Sequence, residues 1–223
     1  MEQSINERIV KIRRRIEAAS ERSGRSPEEV TLVAVTKGVA PWAIQQAAAA
    51  GIRDFGENRV QEVEAKRPQL TRMAPHTRWH LVGHLQTNKV KTALGLFDII
   101  HSVDSLHLAE AISRRATKPI PIFLEVNIAR EHTKFGLSPD ELETNSAAIA
   151  LLPNLEVRGL MTIAPQSAKT EEARRYFQRL REAGERLGVR ELSMGMSDDF
   201  EVAVEEGATH VRIGRAIFEE RYE

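Results

Sequence analysis

The sequence predicts a single (β/α)8 barrel with an extra N-terminal helix, and three observations support this prediction. Short runs rich in β-branched and apolar residues alternate with longer helical segments throughout residues 31–223. Eight such runs can be counted, and parallel neighbours require helical crossovers of this kind. No Pro-rich, Gly-rich or low-complexity linker interrupts the pattern, so we expect residues 1–223 to form one domain. An open, doubly wound sheet remains the alternative, because periodicity does not reveal whether a sheet closes.

The chain opens with a predicted amphipathic helix that precedes the repeating part and occupies residues 1–23. Apolar side chains recur along it at helical spacing, at Ile5, Ile9, Ile12 and Ile16. Ser23 and Gly24 then provide the stop, because glycine suits the position just after the end of a helix. The barrel proper is expected over residues 31–223.

The predicted strands and helices follow in chain order. The strands are TLVAVT (31–36), GIRDF (51–55), RWHLVG (78–83), FDIIHSV (97–103), PIFLEVN (121–127), EVRGLMTI (156–163), ELSMG (191–195) and THVRIG (209–214). The helical segments are WAIQQAAAA (42–50), NRVQEVEAK (58–66), SLHLAEAISRR (105–115), DELETNSAAIALL (140–152), EEARRYFQRLREAGERL (171–187) and DDFEVAVEE (198–206). Trp42 and Trp79 are expected to pack in the core or between helix and sheet.

Composition excludes several classes of function. Lys plus Arg and Asp plus Glu number 32 each, so no net field favours nucleic acid or an anionic membrane surface. The absence of cysteine removes disulfides, thiolate nucleophiles and zinc-thiolate sites. The N-terminus lacks the apolar core of a signal peptide and no run is long enough to span a membrane. We therefore expect a soluble, cytoplasmic protein.

Three histidines, His76, His80 and His84, are spaced as metal ligands on one face of a helix would be. The segment RWHLVG is a predicted strand, however, and no HExxH pattern or carboxylate completes a ligand set, so no metal is expected. His80 is interpreted as an interior histidine whose ring nitrogens are hydrogen-bonded.

The residues that follow the strands bear on function, because the working face of a barrel lies at the carboxyl end of its strands. The run AVTKG (34–38) places Lys37 directly after a predicted strand. A lysine at this position either extends its ammonium group to water or takes part in binding or catalysis. Loops seven and eight contain Gly195, Ser197 and Gly214, and barrels often bind phosphate with these loops. The simpler interpretations are that Lys37 only reaches solvent, Ser197 caps the following helix and Gly214 is a turn residue.

Lys37 and the two glycine-containing loops together predict a cofactor. A lysine after strand one that faces a phosphate site can form a Schiff base with a phosphorylated aldehyde, and pyridoxal 5'-phosphate is such a molecule. Arg212 shares side-chain parity with Gly214, so it is expected to face the interior and reach the ring nitrogen. An always protonated arginine donates to an unprotonated pyridine nitrogen, which weakens the ring as an electron sink.

Several motifs in a common order resemble the pyridoxal phosphate homeostasis family, a single-domain barrel related to the N-terminal half of alanine racemases. They cover nearly all of residues 31–218 and are AVTKG, DFGENRVQE, WHLVGHLQTNK, IHSVD, EVNIAREHTKFG, GLMTIAP and LSMGMSDDFEVAVEEGATHVRIGRAIF. The resemblance implies that Lys37 carries the cofactor as an internal aldimine and that Arg212 faces the pyridine nitrogen. It assigns the other cofactor contacts to Asn58, Ser197 and the backbone of Gly214 and Arg215. In one departure, Glu219 stands where the family commonly has glycine, so the resemblance does not determine the backbone conformation after strand eight.

The expected function is that of a carrier that stores, delivers or sequesters pyridoxal 5'-phosphate without turning over a substrate. Its partners would be apo forms of pyridoxal-phosphate enzymes, as acceptors of the cofactor. In the racemases that this chain resembles, a second domain supplies dimer contacts; without it, we expect a monomer.

Two other functions stay open. A racemase needs a base on each face of the substrate α-carbon, and in the racemases that this chain resembles the second base is a tyrosine from the second domain. This chain offers only Tyr176 and Tyr222. A phosphate-binding barrel enzyme without the cofactor has Glu57, Asp104 and Glu125 as candidate acids and bases, but it does not explain a lysine after strand one.

Overall fold

The eight predicted strands are all present and close into a parallel barrel. The structure, a computed structural model, describes residues 3–70, 73, 76–131, 133–165, 168 and 170–219. The strand order runs from β1 to β8, and β8 pairs in parallel with β1. The strands are β1 (Thr31–Val35), β2 (Asp54–Glu57), β3 (Arg78–Leu81), β4 (Ile99–Val103), β5 (Ile120–Glu125), β6 (Leu155–Met161), β7 (Glu191–Ser193) and β8 (His210–Ile213). The barrel prediction is confirmed, and the open sheet is wrong.

Helices connect the strands on the outside of the barrel. They are α1 (Ile5–Arg22), α2 (Pro41–Ala49), α3 (Val60–Lys66), α4 (Val90–Leu96), α5 (Leu106–Arg115), α6 (Pro139–Ala150), α7 (Thr170–Leu187), α8 (Phe200–Glu205) and α9 (Arg215–Phe218). The helix α4 was not predicted from the sequence pattern, because it is short and contains Gly95, which lowers helix propensity. No helix in the described residues is both long and apolar enough to cross a bilayer.

The N-terminal helix α1 is present as predicted and begins with a capping box. The hydroxyl of Ser4 accepts a hydrogen bond from the N–H of Glu7 (3.2 Å), and the Glu7 carboxylate accepts one from the N–H of Ser4 (2.7 Å). The four isoleucines of its apolar stripe are buried, and the helix packs against α2, α8 and α9. An ion pair between Arg15 and Glu201 (2.8 Å) also joins α1 to α8. The helix therefore supports the elements that follow strands seven and eight.

Two expectations about particular segments are corrected by the structure. The second strand begins at Asp54 and continues to Glu57, because the residues from Gly51 form the turn that leaves α2. Trp79 is buried against Phe55, with ring centroids 5.6 Å apart, as expected. Trp42 is not a core residue: it is 63% exposed near the start of α2.

The loop after β7 makes a close turn against α8 that only glycine accommodates. Gly195 has φ +90°, and an added Cβ would lie 2.5 Å from the Cβ of Ala203 and 2.9 Å from the Cα of Phe200. We expect Gly195→Ala to lower the free energy of unfolding by about 2–4 kcal/mol, because left-handed strain and overpacking add. Urea denaturation monitored by circular dichroism measures the loss.

Gly95→Ala is the matched control for this substitution. Gly95 lies within α4, and no heavy atom lies within 4 Å of an added Cβ. Alanine there should raise the free energy of unfolding by about 0.5–1 kcal/mol through helix propensity. Equal losses in the two variants would show that the turn at Gly195 is not tightly constrained.

Candidate functional site

A wide cleft opens at the carboxyl end of the strands, as a barrel site should. Its volume is about 1230 Å³, and its walls come from the loops after β1, β2, β6, β7 and β8 together with the start of α1. All six residues that the sequence assigns to cofactor binding line this cleft: Lys37, Asn58, Ser197, Arg212, Gly214 and Arg215. Trp42, which sequence analysis placed in the core, stands exposed at its wall.

Lys37 is an exposed residue in the turn that leaves β1, and the backbone on both sides of it is fastened. The carbonyl oxygen of Thr36 accepts a hydrogen bond from the Lys66 ammonium (2.7 Å). Gly38 has φ +69°, a conformation that glycine adopts without strain, and its N–H donates to the carboxylate of Glu62 (3.1 Å). The turn is therefore held in place while the amine of Lys37 is left to face the cleft.

The anchor of this turn is a buried carboxylate behind β1. The side chain of Glu57 is fully buried, and it accepts hydrogen bonds from the Thr36 hydroxyl (2.9 Å), the Lys66 ammonium (2.8 Å) and the N–H of Asn58 (3.0 Å). Lys66 also binds Glu62 (3.1 Å). Burial acts to raise the pKa of Glu62, but bonds from the Gly38 N–H and from Lys66 lower it overall.

The sequence patterns do not reveal the supporting role of Glu57, Glu62 and Lys66. The four-residue spacing of Glu62 and Lys66 on α3 does indicate an ion pair. The spacing does not predict that the Lys66 ammonium also bonds to the backbone of Thr36, because that contact joins α3 to the end of β1. Because Glu57 follows the predicted second strand, it was a candidate acid at the barrel mouth. In the structure its side chain bonds to Thr36 at the end of β1 and does not line the cleft.

Arg212 reaches the cleft from inside the barrel, in agreement with its side-chain parity. Only 4% of the residue is exposed, and its Nη1 and Nη2 groups donate to the hydroxyl of Ser193 (2.6 Å) and the carbonyl of Thr162 (2.8 Å). Burial lowers the pKa of Arg212 to about 10, although the carboxylates of Asp199 and Glu125 act to raise it. The guanidinium therefore stays charged at neutral pH and can only donate hydrogen bonds.

Loops seven and eight are tied directly to each other. The hydroxyl of Ser197 accepts a hydrogen bond from the N–H of Ala216 (3.3 Å), and Arg215 forms an ion pair with Asp198. The interpretation of Ser197 as a cap of the helix that follows it is wrong, since its hydroxyl bonds to the first turn of α9, after β8. Asp199 takes the cap position of α8 instead, and its carboxylate accepts from the N–H of Met196 (2.6 Å).

The backbone after β8 gives no reason to require glycine at position 219. Glu219 has φ −88° and ψ 135°, an ordinary extended conformation. Its N–H donates to the carbonyl of Arg215 (3.0 Å), and the residue lines the cleft. The departure at this position is thus compatible with the observed turn.

The other half of the barrel mouth contains a separate set of titratable groups. His84 bonds to Asp104 (2.9 Å) and stacks on Phe135, with ring centroids 3.8 Å apart. Burial and the charge of Asp104 raise the pKa of Glu125 to about 7. Neither carboxylate is among the residues that line the cleft. Within the described part of the chain, no three His, Asp or Glu side chains are grouped so that they could hold a metal ion.

The residues that line the cleft include one lysine, three arginines and several residues with a hydroxyl group. Lys37 supplies the nucleophile, while Arg212, Arg215 and Ser197 supply hydrogen-bond donors for an anionic or electron-rich ligand. Gly214 lets the loop after β8 approach β1 closely, because an added Cβ would lie 3.1 Å from the carbonyl oxygen of Val35. These donors suit a small phosphorylated aldehyde better than a neutral or cationic ligand.

Comparison with known proteins gives consistent matches along the chain. The model of the family "Alanine racemase, N-terminal domain" matches residues 9–221. The pyridoxal phosphate homeostasis protein of Aquifex aeolicus is 42% identical over 224 residues, which cover 96% of this chain and 97% of that protein. Its namesake in Pseudomonas aeruginosa is 41% identical over 220 residues, covering 96% and 95%. The structure of PipY from Synechococcus elongatus with PLP bound is 39% identical, with a TM-score of 0.82, over 96% of this chain and 100% of PipY.

The contact between Lys66 and Glu57 is expected to dominate the stability of the turn that contains Lys37. Lys66→Met keeps the apolar stem but leaves the Glu57 carboxylate buried without its charged partner. Breaking such a pair costs about 3–5 kcal/mol, so the midpoint of urea unfolding should fall strongly. Arg130→Gln is the control, because its pair with Asp140 is exposed (60% and 77%) and worth less than about 1 kcal/mol. Similar midpoints for the two variants would contradict the anchoring role of Lys66.

Proposed function

This chain belongs to the pyridoxal phosphate homeostasis proteins, a family built on the alanine racemase N-terminal domain, and we propose that it binds pyridoxal 5'-phosphate and holds it for other proteins. The bound cofactor supplies an electrophilic aldehyde and a ring that can accept electrons. The observation that carries the proposal is that Lys37 and Arg212 face one cleft together with the bridged loops seven and eight.

Each part of the cleft has a task in holding the cofactor. The amine of Lys37 binds the aldehyde, and the turn around it is kept in place by Lys66 and Glu62. The Ser197 hydroxyl and the backbone of Gly214 and Arg215 would hold the phosphate. The guanidinium of Arg212 would donate to the ring nitrogen, and Asn58 would contact the cofactor from the loop after β2.

A non-catalytic role is supported by what surrounds Lys37. Racemisation needs a second base opposite the lysine. Tyr176 lies on α7, where its hydroxyl accepts from Arg175 (2.9 Å), and it is not among the residues that line the cleft. Tyr222 lies outside the described residues. A guanidinium at the ring nitrogen also limits the electron withdrawal that racemisation would use.

A barrel enzyme that works without the cofactor receives less support. Its candidate acids and bases were Glu57, Asp104 and Glu125, and none of them lines the cleft. Glu57 is instead part of the anchor behind β1. The cleft itself is open and needs no second domain to shape it, which suits release of the cofactor to apo-enzymes from a monomeric carrier.

Attachment to Lys37 is tested on the purified protein after incubation with pyridoxal phosphate. We expect a visible absorption band that borohydride abolishes, followed by peptide mapping that places a pyridoxyl group on Lys37. Lys37→Ala should lose the band and the adduct, because no other amine occupies this position. Lys118→Ala removes an exposed lysine elsewhere and should retain both. An adduct on other lysines alone would overturn the proposal.

Delivery is tested separately, by mixing the loaded protein with an apo-transaminase. Activity should return faster than the spontaneous release of cofactor allows, because the open cleft lets the acceptor approach the attachment point. The release rate is measured in parallel with a small-molecule trap. If reactivation only matches that rate, the protein stores the cofactor and does not deliver it. Turnover of amino acids by the loaded protein alone would favour the racemase.

A further inference from the structure

A continuous chain of hydrogen bonds crosses the interior of the barrel and ends at Arg212. Asp54 bonds to the Nε2 atom of His80 (2.8 Å), and the Nδ1 atom of His80 bonds to the Nε2 atom of His101 (2.9 Å). The Nδ1 atom of His101 bonds to the Ser193 hydroxyl (2.8 Å), which accepts from Arg212 (2.6 Å). Five strands contribute to the chain, so it exists only in the closed barrel.

The two ends of the chain fix the direction of every hydrogen bond in it. Arg212 can only donate, so the hydroxyl of Ser193 accepts from it and donates its own proton to Nδ1 of His101. Nε2–H of His101 then donates to His80, and Nε2–H of His80 donates to the carboxylate of Asp54. Burial acts to raise the pKa of Asp54, but bonds from His80 and Arg78 lower it overall, so the acceptor end stays ionised.

The opposite direction leaves a buried group unsatisfied. If His101 donated from Nδ1, the proton of the Ser193 hydroxyl would lose the only acceptor that the described residues provide for it. To keep its bond to Asp54 as well, His80 would then carry two protons and add a second cation to the buried chain that ends at Arg212. Burial holds the pKa of His101 well below its usual value, and burial lowers that of His210 beside it to about 3.

Such a chain is costly in the interior of a barrel. Bulky branched apolar side chains usually fill this space, and buried polar groups contribute little net stability even when they are paired. His80, His101 and Ser193 are fully buried and none of them lines the cleft. Among the described residues, the hydrogen bond from Arg212 to Ser193 is the one that connects their side chains to the cleft, so their effect on the cleft passes through its guanidinium.

We infer that Asp54, His80, His101 and Ser193 are positioning residues that hold the guanidinium of Arg212 in one orientation, and that they thereby keep the ring nitrogen of the bound cofactor unprotonated and hydrogen-bonded. Ser193 is the link that joins the histidines to Arg212. The inference rests on the proposed function, because it concerns the cofactor in the cleft. It adds a group of residues that determine the electronic state of the ring without contacting it.

Ser193→Ala tests the link, with the ring nitrogen observed directly. Pyridoxal phosphate labelled with ¹⁵N is bound to the protein, and the ¹⁵N chemical shift of the ring is measured together with the affinity. In the variant we expect the ring signal to move away from its wild-type position and the affinity to fall by about tenfold, because Arg212 loses one of its two acceptors and keeps only the carbonyl of Thr162. Attachment to Lys37 should persist. Ser193→Thr retains the hydroxyl and should restore the wild-type signal.

Ser102→Ala is the matched control. Ser102 is also fully buried, and its hydroxyl has no hydrogen-bond partner among the described residues, so the same substitution should leave signal and affinity unchanged. If Ser193→Ala matched the wild type and Ser102→Ala in both measurements, the inference would fail while the proposed function stood. A wild-type protein that takes no cofactor at Lys37 would instead refute the proposed function.

The unmutated protein provides an independent test that does not depend on the folding of a variant. Two-dimensional ¹H–¹⁵N spectra optimised for histidine rings distinguish the two neutral tautomers. We expect both His80 and His101 to carry their proton on Nε2 in the protein without added cofactor. A proton on Nδ1 of His101, or a doubly protonated His80, would reverse the chain and overturn the inference.

Discussion

The pairing of β1 with β8 is the constraint on which the candidate site depends. Val33 lies opposite Arg212 in this pair, so the strand that leads to Lys37 and the strand that carries Arg212 run side by side. The two residues belong to opposite ends of the chain, and only closure of the sheet makes their strands neighbours. The same closure brings loop eight beside loop one, where Gly214 packs against Val35. The chemistry of the cleft is therefore a property of the whole barrel.

Two buried polar networks support the cleft from different sides of the sheet. Outside the barrel, Glu57 and Lys66 hold the turn that contains Lys37. Inside it, the chain from Asp54 to Ser193 holds Arg212. Both place charge or polar groups where apolar packing would stabilise the fold at least as well. Their shared effect is that a short, exposed turn and a long, flexible side chain each have one preferred position relative to the cleft.

Much of the fold follows from local patterns, whereas the support of the site does not. The alternation of strand-like and helical runs and the apolar periodicity suffice to predict the eight strands and α1. Side-chain parity along β8 suffices to place Arg212 in the barrel interior. The short helix α4 and the start of β2 escape such patterns, because a glycine or a turn interrupts them. The contact of Lys66 with Thr36 joins α3 to the end of β1, and the contact of Ser193 with His101 joins β7 to β4. Between β4 and β7, the pairing of β5 with β6 includes a register shift at Ile122 and Phe123. No spacing within one segment encodes such contacts.

The position of Trp42 at the cleft makes the intrinsic fluorescence of the protein sensitive to what the cleft contains. The chain has two tryptophans, of which Trp79 is buried against Phe55 while Trp42 stands exposed at the wall of the cleft. Emission from an exposed indole responds to its surroundings, and a chromophore in the cleft that absorbs where indole emits would quench it by energy transfer. Intrinsic fluorescence therefore follows the filling and emptying of the cleft in real time, with no label attached.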